Sequence, residues 1–134
     1  MGKALTDLSE VLFRQIHPNS YHAGCPASDR FKPQPSDNGL MSVDRGSMTS
    51  AVASHALYTA TGRQSVAVFG ISVEEFTSES LNCNEDPIAA QDELPANPAH
   101  ALVDFSGLDG SKCRLISKRL CLKATSRGRL YPLE

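Results

Sequence analysis

Between residues 40 and 73 the spacing of apolar positions changes twice. LMSVD at 40–44 alternates, the stretch 46–62 repeats at three and four residues, and 65–73 alternates again. This pattern predicts strand, helix, strand, and it is the unit around which the chain is organised. In the helix, Met48, Ala51, Val52, His55, Tyr58 and Thr59 share one face, and Ala51, Ala53, Ala56 and Ala60 permit close packing on a sheet. Ser47 or Thr49 can cap its start and Gly62 can close it. In the strand that follows, Ala67, Phe69, Ile71 and Val73 point one way, and Val66, Val68 and Gly70 the other. Both faces are apolar, which predicts an interior strand.

The same reading extends outwards. VLFRQIH at 11–17 alternates and predicts a strand, with Arg14 on the same face as Leu12 and Ile16. Residues 18–38 hold four prolines and predict a long loop. Ser72 and Glu75 form a capping-box pattern that opens a short helix running to about residue 81. A second proline-bearing loop spans 82–99, HALVDF at 100–105 is the fourth strand, and a helix follows, capped within 106–109 and closed by Gly128. Cys113, Ile116, Leu120 and Ala124 form its apolar stripe, and Leu130 and Tyr131 add a last short strand or dock. The fold class expected is α+β. One domain over 1–134 would hold a mixed or mostly antiparallel sheet of four to five strands, the central helix and a basic C-terminal helix.

Composition narrows the class. A chain of 134 residues can bury a core, and its net charge of −2 excludes a globally basic nucleic-acid binder. It has no apolar run of the roughly 18–20 residues that span a bilayer, which predicts no membrane partner. MGKALTDLSEVLFRQ carries acids where a secretory peptide is apolar, so a cytoplasmic protein is expected. Cys25, Cys83, Cys113 and Cys121 make no CxxC pair and read as reduced thiols. His22 and Cys25 have a metal-like spacing with no second pair to match, so neither a metal nor a cofactor is expected.

Charge is segregated along the chain. Residues 74–93 contain Glu74, Glu75, Glu79, Glu85, Asp86, Asp92 and Glu93 and no Lys or Arg. Residues 112–129 contain Lys112, Arg114, Lys118, Arg119, Lys123, Arg127 and Arg129 and no acid. These are either solvated faces that touch each other or a surface for an acidic partner or phosphate. Lys112, Arg114, Lys118, Arg119 and Lys123 are the candidate partner-binding residues, and the same helix leaves nucleic acid open.

A second set of candidates surrounds Arg14. An unpaired arginine beside Leu12 and Ile16 is costly to bury, so a carboxylate such as Asp44 or Asp104, or a bound phosphate, is expected beside it. His17, Tyr21, Ser42, Arg45 and His55 complete the candidate ligand-binding set. His55 can equally be a satisfied core histidine, and His100 shares a strand face with Asp104.

The pieces LFRQIHP at 12–18, FKP at 31–33, LMSVDR at 40–45 and HALVDF at 100–105 are similar to a group of small bacterial proteins to which no activity is attached. In organisation, a strand with Leu-Phe-Arg, a loop, a serine-bearing strand and a helix resembles the RES-type and ADP-ribosyltransferase domains. That resemblance implies that Arg14 holds NAD phosphates and that Ser42 stands beside it. No glutamate falls on a late strand where those families have one, and Asp104 is a poor substitute. Two functions are therefore expected. The first is a small cytoplasmic bacterial accessory or immunity-like protein, a partner in a toxin system, that binds through its separated charges. The alternative is a small NAD- or phosphate-binding transferase with its pocket near Arg14.

Overall fold

The computed structural model describes residues 2–133. Its framework is one antiparallel sheet of β1 (Val11–Ile16), β4 (Leu40–Arg45), β5 (Ala67–Ser72), β6 (Asn82–Glu85) and β7 (His100–Asp104), in the order β5-β1-β4-β7-β6. The first long loop is more structured than its prolines suggest. It holds a two-residue hairpin, β2 (Tyr21–His22) with β3 (Cys25–Pro26), and three 3-10 turns, at Pro18–Ser20, Ser28–Phe31 and Pro35–Asp37. The α+β class is as expected, and every strand pairing in the main sheet is antiparallel.

The stretch from β4 through helix α1 (Ala51–Ala60) to β5 is a split β-α-β unit. Both strands run antiparallel to β1, hence parallel to each other, and β1 lies between them. Ser50 caps α1 through the Ala53 N–H, in place of Ser47 or Thr49. Gly62 sits just past the helix end at φ +88°, where a side chain would be strained. β5 is an edge strand rather than an interior one. It is nevertheless buried on both faces, because the C-terminal segment closes its free edge: Val68 N–H donates to Tyr131 O and Leu130 N–H to Val68 O.

The core lies on the other side of the sheet from α1. Leu12, Ile16, Met41, Val43, Ala67, Phe69, Ile71, Ala101 and Val103 form it, and helix α3 (Gly110–Arg127), packed on β5 and the Ser28–Phe31 turn, adds Ile116, Leu120 and Ala124. Three of the four expected stripe residues are thus buried, and Cys113 packs at the margin. Asp109 caps α3 through the Lys112 N–H, and Gly128 closes it. Helix α2 (Val73–Thr77) opens with the Ser72–Glu75 capping box, is shorter than expected, and inserts Val73 and Phe76 beside the same core.

The expected apolar face of α1 is not a core face. Ser54 is the buried residue of this helix, while Met48 and Val52 are exposed. Its contact with the sheet is a polar chain: Asn97 donates to Asp44 (2.9 Å), Ser54 Oγ donates to Asp44 (2.7 Å), Gln15 donates to Ser54 Oγ (2.9 Å), and Ser65 Oγ donates to Gln15 (2.8 Å). Each partner saturates the next, so polar groups are buried here without loss of hydrogen bonding.

Candidate functional site

The acidic and basic segments meet. Arg119 grips both carboxylate oxygens of Glu79, with a closest approach of 2.7 Å, and Arg127 bonds Glu75 at 2.7 Å. Burial would raise the Glu75 pKa, but hydrogen bonds from Arg127 and the Ser72 N–H outweigh it and hold the carboxyl below its ordinary value. These pairs tie α2, and the turn that follows it, to α3 and neutralise two of the seven cations. Lys112, Arg114, Lys118 and Lys123 have no carboxylate within 4.0 Å among the described residues.

Among those cations stand two leucines. Leu115 is 50% and Leu122 71% exposed, seven residues apart and so on one side of α3. Leu122 and Lys123 rim an open depression of about 600 Å³ between α2 and α3, completed by Glu75, Arg119, Ser126 and Arg127. The charge pattern of the sequence marks the cations but not the leucines, which fall off the Ile116–Leu120–Ala124 stripe.

The second set of candidates does not assemble. Arg45 makes a bidentate pair with Glu10 (3.0 and 3.1 Å) and approaches Glu85 at 3.7 Å. Glu10 is buried and also accepts from Ser47 Oγ (2.6 Å). Burial pushes its pKa up, yet the Arg45 and Ser47 hydrogen bonds bring it below the ordinary carboxylate value. His17 caps the turn Pro18–Ser20, its Nδ1 accepting from the Asn19 N–H. Tyr21 stacks at a tilt on Phe69 and accepts from Arg129 through its hydroxyl, beside a smaller depression of about 300 Å³. His55 donates to the Ser65 carbonyl (2.8 Å) and packs its ring 4.6 Å from that of Tyr131, as a satisfied structural histidine would. His100 turns to Asp86 (3.0 Å), and Asp104 accepts from the Ser106 N–H instead.

Arg14 meets neither Asp44 nor Asp104. Its Nε donates to the Arg30 carbonyl (2.7 Å) and its Nη1 to the Ser42 carbonyl (2.9 Å), so Ser42 enters through its backbone and not its hydroxyl. The correction has a topological cause. β1 and β4 pair only through Leu12↔Arg45 and Phe13↔Asp44, and the guanidinium bonds the carbonyls available where the two strands part. Burial, and then the charge of Arg30, lower the Arg14 pKa to about 10.

All four cysteines are free thiols. Burial, with the charge of Glu10, pushes Cys83 up to about 12, which makes it inert as a nucleophile. His22 and Cys25 face each other across the β2–β3 hairpin, and no group of three or more His, Cys, Asp or Glu side chains forms a metal-sized cluster among the described residues. No described helix is long and apolar enough to cross a membrane.

Fold and surface together define an α+β protein with a split β-α-β unit and a basic, leucine-bearing outer helix. Comparison with protein-family models, with curated proteins and with solved structures found no match to this chain.

Proposed function

We propose that this is a non-catalytic binding protein whose outer α3 face docks an acidic protein partner. The observation that carries this reading is the pairing of two exposed leucines with cations that lack an internal acid. Leu115 and Leu122 lie among Lys112, Arg114, Lys118 and Lys123, while Arg119 and Arg127 are already committed to Glu79 and Glu75. Exposed large apolar side chains beside unpaired charge fit an interface better than a solvated face, since apolar anchors supply affinity and the charges supply steering. The occupant that matches is an acidic segment with an apolar side chain to seat beside Leu122. A place as an immunity-like or toxin-system partner in a bacterial cytoplasm is the setting that suits such a protein. The transferase alternative would need His17, Ser42 and His55 to present side chains at Arg14, and nothing in their bonding favours it.

The test is affinity capture from native lysate, followed by purification of the captured protein and measurement of its Kd. Lys118→Glu combined with Lys123→Glu should leave the melting midpoint nearly unchanged, because both side chains are exposed. Affinity should fall about tenfold or more, and the salt dependence should flatten. A captured protein that binds the double variant as tightly as the wild type removes the α3 face from the reading.

A further inference from the structure

Arg14 and Arg30 form a second feature, on side chains separate from the outer face of α3. A guanidinium carries five N–H donors. Two of those on Arg14 go to the carbonyls of Arg30 and Ser42, which leaves three for other acceptors. The Nε of Arg30 is shut off from solvent yet has no hydrogen-bond partner. Neither arginine has a carboxylate within 4.0 Å among the described residues. Asp37 exerts some attraction on Arg14, but it accepts from the Gln34 N–H through Oδ2. Tyr58 is a further electrostatic neighbour of Arg14.

Arg14 bonds the Arg30 carbonyl and feels the Arg30 charge, and a buried N–H of Arg30 is unsatisfied, an arrangement that is unfavourable unless an anion joins the two residues. We propose that the Arg14–Arg30 pair binds a small tetrahedral oxyanion, a phosphate group, that accepts from both side chains at once. Phosphate suits the pair better than a carboxylate, because its additional oxygens can meet two forks and its charge reaches −2. The carbonyl bonds of Arg14 hold its guanidinium in place beforehand, so little ordering is needed on binding. The phosphate can be free or the end group of an ester. The site is independent of the partner surface on α3, and either can fail without the other.

Thermal unfolding in inorganic phosphate, against chloride at equal pH and ionic strength, tests the site. At a phosphate concentration some tenfold above Kd, the midpoint should rise by about 3–6 °C. Arg30→Gln should abolish the rise while sparing the Arg14 bracket, because Arg14 bonds the Arg30 backbone and not its side chain. If Arg30→Gln does not fold, Arg30→Lys serves. It keeps the charge but loses the fork, and should weaken phosphate binding about tenfold by calorimetry. Lys118→Glu with Lys123→Glu should keep the full rise, which separates this site from the lysines of α3. Phenyl phosphate in place of phosphate then distinguishes the sources: an equal rise indicates esters, and a rise with phosphate alone indicates the free ion. Equal midpoints in the phosphate and chloride buffers, or a rise that survives Arg30→Gln, overturns the proposal.

Discussion

Helices α1 and α3 invert what their compositions suggest. α1, AVASHALYTA, is the more apolar, yet it rests on the sheet through Ser54 and leaves Val52 58% exposed. α3 is crowded with Lys and Arg, yet it supplies Ile116, Leu120 and Ala124 to the core. The difference lies in what each helix finds opposite it. α3 packs on β5 and on the Ser28–Phe31 turn, where its stripe joins a core cluster that holds Phe31, Phe69 and Ile71. α1 faces Gln15 and Asp44, where a small hydroxyl completes a hydrogen-bond chain. Average hydrophobicity therefore says less about which helix anchors a fold than the size and spacing of a few side chains on one stripe.

The widest separation between the helices is expected from truncating that stripe. Leu120→Ala should cost about 2–5 kcal/mol, because it removes a fully buried side chain and leaves a cavity that the sheet closes only in part. That is a large share of a total of roughly 5–15 kcal/mol for a domain of this kind. Chemical denaturation with a two-state fit measures it, and a loss below about 1 kcal/mol would mean that α3 is not the anchor.

This stripe was legible in the sequence because each of its members is apolar and the helix around it is polar. The 11–16, 40–45 and 100–104 strands were legible for the matching reason, alternation at period two. What the sequence concealed was neighbourhood. The period-two pattern of β5 is the same for an edge strand covered by Leu130 and Tyr131 as for an interior one. Arg14 stands out in the sequence as a charge beside Leu12 and Ile16, but its partners are the carbonyls of Arg30 and Ser42, and backbone groups leave no mark in residue type. Glu10 shows the same limit from the other side. Nothing local distinguishes it from the exposed acids, and its burial against Arg45 and Ser47 arises from pairing across 35 and 37 positions. The outer leucines of α3 are visible in the sequence only once it is known which side of the helix is covered.

On α1 the matching substitution is Ser54→Ala. It removes no volume of consequence, so its effect isolates the polar chain. Gln15 loses its acceptor and Asp44 a donor, while Asn97 still holds the other Asp44 oxygen. A cost of about 1–3 kcal/mol is expected, set by the desolvated groups left unmatched. The double variant Ser54→Ala with Gln15→Leu should recover part of that cost, because it removes the stranded amide as well. A single variant as stable as wild type would show that α1 is held by something other than this chain of hydrogen bonds.

The smallest effect belongs to the outer side of α1, and it tests whether that side is as open as the comparison requires. Val52 is 58% exposed, and serine has a helix propensity close to that of valine. Val52→Ser therefore exchanges one exposed side chain for another, with neither a cavity nor an orphaned polar group, and should change stability by less than about 0.5 kcal/mol. Met48 is half-exposed close by, so the two form a small apolar patch beside the helix start. If a second copy of the chain covered that patch in solution, the same substitution would cost more than about 1 kcal/mol, and the melting midpoint of the wild type would rise with protein concentration. A flat midpoint together with a silent Val52→Ser would leave α1 as the solvent-facing helix, attached through Ser54, against which the buried stripe of α3 is measured.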